Sequence, residues 1–95
     1  MNIEDVKVKL VDVLQEIQSD SGYETSGISG ATCPVTELEG FESPLWPDAI
    51  GMLAESLGVD IPHSTNIFVS EDGKRPLTID ESADLVCKVA AQKGS

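Results

Sequence analysis

Between Leu10 and Gly73 the chain contains neither lysine nor arginine. The basic residues are Lys7, Lys9, Lys74, Arg75, Lys88 and Lys93, set against 17 acids for a net charge of −11. Nucleic acids and anionic membranes are gripped through Lys and Arg, so a long acidic middle argues against both as partners. It suits protein partners with basic patches, whose attraction weakens as salt rises. Aromatic side chains are also scarce, 4% against 40% hydrophobic residues overall, so the core has to be aliphatic, as in small helical proteins. The two cysteines, Cys33 and Cys87, make no C-x-x-C and no metal-ligand spacing, which fits reduced, intracellular thiols. There is no basic-then-apolar leader and no apolar run long enough to span a bilayer, and the expectation is a cytoplasmic monomer.

Chemical signatures are missing too. No G-x-x-x-x-G-K-[ST], no G-x-G-x-x-G and no EF-hand loop occurs, which argues against nucleotide and calcium sites. The only histidine, His63, has no Ser–His–Asp or metal company in sequence, so a surface role is expected for it and no enzyme is. At 95 residues, the chain is read as one domain over 1–95.

What is present is helical periodicity. Asn2 is placed to cap a first helix, and Asp5 answers the positive end of its dipole. Ile3, Val6, Leu10, Val13, Leu14 and Ile17 recur at spacings of three and four, and the helix should end near Gln18. Residues 19–39 hold Gly22, Gly27 and Gly30 among many Ser and Thr, which forbids a long regular element. Tyr23, Ile28, Val35 and Leu38 are sparse anchors that would pin this loop across the helix ends. A second helix carries Ile50, Leu53, Ala54 and Leu57 on one face and Asp48, Glu55 and Ser56 on the other. Gly58 stands where a left-handed C-cap belongs, with Pro62 a few residues on. Pro47 is at ease only in a first turn, so regular helix should begin there and leave Ser43 on a turn ahead of it.

Residues 64–68 suit a short helical turn, with Ile67 and Phe68 as core contacts. A polar insertion centred on Asp72-Gly73 follows in residues 70–76. A β-hairpin is the competing reading of this stretch, disfavoured by the short flank after the turn. Thr78-Ile79-Asp80-Glu81 is a capping box opening a last helix, with Ile79, Ala83, Val86, Val89 and Ala90 as its buried stripe and fraying from Gln92 on. The fold class expected is all-α: a small antiparallel bundle of three main helices plus one short helix, with a long loop between the first two.

Residues 40–62, GFESPLWPDAIGMLAESLGVDIP, resemble the second helix of the acyl carrier protein family and the turn that leads into it. The run Met52-Leu53-Ala54-Glu55-Ser56-Leu57-Gly58-Val59-Asp60-Ile61-Pro62 is similar, without a gap, to the family's helix ending. The family spacing counted back from Pro62 reaches Ser43, with Glu42 in place of the usual aspartate. Pro44 stands where the family has leucine, and Leu45, Ala54 and Ser56 stand where it has acids. The resemblance implies 4′-phosphopantetheine attached covalently to Ser43 and an acyl or related thioester carried between separate enzymes. It also implies partner contacts at Glu42, Pro44, Leu45, Trp46, Asp48 and Glu55. The partners implied are a phosphopantetheinyl transferase and acyl-transferring or acyl-modifying enzymes with basic docking patches. Trp46 reads either as packing over the first turn of this helix or as part of the partner surface. An unmodified, carrier-like acidic docking or regulatory module is the alternative, and the prolines at 44 and 47 speak for it.

Overall fold

A computed structural model gives the fold and describes residues 2–23, 25, 27–38, 40–41, 43–61, 66–70 and 73–92, without the side chains of Ser43, Ala91 and Gln92. The chain is mostly helical. Helix α1 spans Ile3–Asp20, a short α2 spans Pro34–Glu37, α3 spans Trp46–Leu57 and α4 spans Ile79–Val89. A 3-10 turn at Ser43–Leu45 leads into α3, and strands β1 (Val59–Asp60) and β2 (Ala91–Gln92) follow α3 and α4.

Helix α1 starts as its sequence dictates. The Asn2 side chain accepts from the Glu4 N–H at 2.9 Å, and Val6, Leu10, Val13, Leu14 and Ile17 are buried along one stripe. It runs two residues past the expected end and closes on a glycine. Gly22, at φ +82°, donates to the Ser19 carbonyl, while the Tyr23 N–H reaches back to Gln18 O at 2.9 Å. That pair of reversed bonds is a Schellman motif, and it decides where Tyr23 points next.

Helix α4 shows how the long loop is held. The Thr78 hydroxyl accepts from the Glu81 N–H at 3.2 Å and the Glu81 carboxylate accepts from the Thr78 N–H at 3.0 Å, completing the capping box. The two N–H groups between them, on Ile79 and Asp80, donate to the carbonyls of Thr32 and Gly30, each at 2.9 Å. The loop thus satisfies donors that a helix start otherwise leaves orphaned. Thr32 is fixed in turn, accepting from the Ser29 N–H and donating to Gly27 O. Gly30 sits so close to Asp80 that a Cβ there would lie 2.5 Å from the carboxylate. Lys7 on α1 closes the same corner with an ion pair to Asp80 at 2.8 Å. The Asp80 hydrogen bond holds the Lys7 ammonium above its usual pKa.

Two stretches depart from expectation. Of the short turn expected over residues 64–68, Ser64 and Thr65 lie outside the described residues; Ile67 and Phe68 form a turn and are fully buried as core contacts, and Asn66 accepts the Phe68 N–H on its side chain at 2.9 Å. Beyond them the chain pairs across a hairpin, Leu77 N–H to Phe68 O at 2.9 Å and Ser70 N–H to Arg75 O at 2.8 Å, with Val69 opposite Pro76. The disfavoured hairpin reading is therefore the observed one. Three residues after the turn suffice, because the core contacts of Phe68 and Leu77 hold the register. At the other end, Gln92, where fraying is expected to begin, pairs with Val59, and Ala91 with Asp60, in an antiparallel ladder; residues 93–95 of the expected frayed end lie outside the described residues. Ala90 leaves α4 in an extended conformation and Val59 is buried, so the ladder extends a packed edge.

The core joins α1, α3 and α4 into one cluster, aliphatic apart from Phe41 and Phe68. Among the described residues, no helix is long and apolar enough to cross a membrane.

Candidate functional site

The segment that presents Ser43 is anchored at both ends before any partner is considered. Gly40 adopts φ +75°, and the Tyr23 ring lies against it so closely that a Cβ would meet Cε2 at 2.6 Å and the phenol oxygen at 2.8 Å. Phe41 follows, buried, with its N–H on the Leu38 carbonyl at 3.3 Å. Its ring meets Phe68 edge-on, centroids 5.1 Å apart and planes at 84°. That is a favourable aromatic geometry.

On the far side, α3 begins at Trp46, one residue earlier than the proline rule suggests, and Pro47 occupies its second position. A proline costs nothing there, because the first N–H groups of a helix lack intrahelical acceptors in any case. Leu45 is the N-cap residue and makes no side-chain cap, so Ser43 stands ahead of the α-helix rather than capping it. Trp46 bridges the two ends: its indole N–H donates to Phe41 O at 3.4 Å and its ring tilts against Phe68 at 6.5 Å.

The residues singled out by sequence fall into three groups. Ser43, Pro44, Leu45 and Trp46 form one continuous turn; Pro44 is exposed, while Leu45 and Trp46 are partly buried against the core. Trp46 therefore reads as packing. Asp48 and Glu55 are both exposed and lie two helical turns apart, which places them on one face of α3. Glu42 lies outside the described residues, as does His63. Tyr23, Gly40 and Phe68 surround the turn without any signal of that role in their spacing. Their contacts are between segments far apart in sequence.

Elsewhere a cleft of about 460 Å³ opens between the hairpin and α4, floored by Leu77 and Leu85. Its acids are already paired: Asp80 with Lys7, Glu81 with Arg75 at 2.9 Å, and Asp84 with Lys88 at 2.9 Å. Cys33 and Cys87 are free and partly buried. No group of three or more His, Cys, Asp or Glu among the described residues is arranged to hold a metal ion. Compared with protein-family models, with curated proteins and with solved structures, the chain gives no match, so what Ser43 does has to be argued from the turn itself.

Proposed function

We propose that the protein is an acyl carrier protein, bearing 4′-phosphopantetheine on Ser43 and delivering a thioester-bound acyl or related group to separate enzymes. The observation that carries this reading is the placement of Ser43. It opens the 3-10 turn that runs into α3, the helix whose ending matches the carrier pattern and whose C-cap, Gly58, takes the left-handed φ of +69° that pattern requires.

The field at this turn suits the group. Ser43 lies just ahead of the N-terminus of α3, the positive end of its dipole, and that field favours an attached phosphate. Attachment is a transfer from coenzyme A. The Ser43 oxygen bonds to the phosphorus bearing the pantetheine arm, the pyrophosphate P–O bond breaks, and 3′,5′-ADP leaves with the electron pair. The hydroxyl proton passes to a base on the transferase. This chain then supplies no further chemistry. It orients the arm and offers Asp48 and Glu55 to basic patches on its clients, on a chain that carries no Lys or Arg from residue 10 to residue 73.

A second reading has its own support. Pro44 is exposed and Leu45 packs against the core where the carrier pattern has a leucine and an acid, so the turn differs from the one a general transferase reads. An unmodified acidic docking module would look the same. Incubation with coenzyme A and several phosphopantetheinyl transferases, read by intact mass, separates the two. The carrier gains one phosphopantetheine, and Ser43→Ala gains none. If the natural chain resists every transferase while Pro44→Leu with Pro47→Ser is modified, the docking module is correct.

A further inference from the structure

The turn that carries Ser43 is clamped from two sides by residues that no carrier pattern specifies. We infer, resting on the carrier reading above, that Tyr23 and Trp46 are positioning residues that hold Gly40–Phe41 and Ser43–Trp46, the described backbone around Ser43, in the shape from which Ser43 is presented to the transferase.

Tyr23 comes from the far end of α1, aimed by the Schellman closure at Gly22, and covers Gly40 where the chain turns with positive φ. A Cβ at Gly40 would have to push the end of that ring aside, and the positive φ adds backbone strain of its own. Trp46 closes the opposite side through the long hydrogen bond from its indole to Phe41 O. Phe41 and Trp46 both rest on Phe68, so the two ends of the turn share one buried foundation. Phe68 also begins the hairpin, accepting from the Leu77 N–H, which ties that foundation to the start of α4. Within the turn, Pro44 has its φ fixed by its ring, as does Pro47 just beyond. A transferase that meets a preformed turn spends no binding energy on ordering it. When the clamp is loosened, the competent turn is populated only part of the time, and the apparent affinity falls by that fraction.

This makes a specific kinetic demand. A loss of population raises KM for the carrier and leaves kcat unchanged, because the bound turn is the same once seated. Trp46→Phe keeps an aromatic ring near Phe68 but removes the indole N–H together with the second ring, and should raise KM by at least roughly threefold, the scale of one weak hydrogen bond. Tyr23→Ala uncovers Gly40 and should raise it by about three- to tenfold. Amide exchange in the full-length variants gives a readout free of any enzyme. The amides of Ser43, Leu45 and Trp46 should exchange faster while those of Leu10 and Leu14 in α1 keep their natural rates. A role in overall stability alone would move both sets together. If the natural chain is modified and both variants show unchanged KM and unchanged exchange at 43–46, the clamp is refuted and the carrier reading stands. If several transferases fail on the natural chain, the carrier reading falls first and this inference with it.

Discussion

Thr78→Ala probes the start of α4, where three kinds of partner share the work of closing a helix. The substitution removes the hydroxyl that accepts the Glu81 N–H at 3.2 Å. It also removes the donation from that hydroxyl to the Glu81 carboxylate at 3.3 Å, but leaves the Ile79 and Asp80 N–H groups on the Thr32 and Gly30 carbonyls, so the first turn keeps its frame. The expected cost is about 1 kcal/mol, within the usual span for an N-cap threonine. In a domain of this size that lowers Tm by about 4–8 °C. Thr78→Ser should recover most of it. Thr78→Ala combined with Glu81→Ala should cost less than the two single changes added, because each side chain supports the other's bond. Acid adds a second handle. The Arg75 guanidinium, and after it the Thr78 N–H, hold the Glu81 carboxyl at about 2, below its ordinary 4.5. A depressed carboxyl stabilises the fold above its ordinary value and loses that contribution as pH falls toward the lowered one. Thermal melts should therefore decline between about pH 4.5 and 2, and more shallowly in Glu81→Gln. A Tm indifferent to Thr78→Ala at pH 7 would show that the reciprocal pair does not hold the helix start.

Ser82 is fully buried, and its hydroxyl has no hydrogen-bond partner among the described residues, so Ser82→Ala should be neutral or stabilising by up to about 1 kcal/mol in denaturant melts. Gly58 has φ +69° and open space around it, so Gly58→Ala should cost about 1–2 kcal/mol from backbone strain alone, measured by the same melts. Reversal of Asp48 and Glu55 to lysine should slow association with a client enzyme, the loss shrinking as salt is raised; stopped-flow rates that ignore both changes would reduce the acidic face of α3 to solvation.

How legible each part was depended on how local its physics is. The Asn2 cap, the Thr78–Glu81 box and the Gly58 closure each involve residues within four positions, and each formed as its residue types require. Pro47 placed the start of α3 within one residue, because a missing N–H has few tolerable sites. The pairing of Val69 with Pro76, and of Val59 and Asp60 with Gln92 and Ala91, was not legible in the same way. Such ladders depend on which buried neighbours fix the register, and the flanks are too short to carry a period-two pattern. The candidate turn divides similarly. Ser43, Asp48 and Glu55 followed from spacing along one segment. The Tyr23 cover on Gly40 and the shared footing on Phe68 join residues from three segments, and no spacing announces that.

Site-resolved mass spectrometry of the chain after incubation with coenzyme A and a panel of phosphopantetheinyl transferases tests the carrier reading most directly. The account predicts a single phosphopantetheine, located on the peptide containing Ser43 and absent from Ser43→Ala. Modification on a different serine, or no modification of the natural chain by any transferase in the panel, would contradict it.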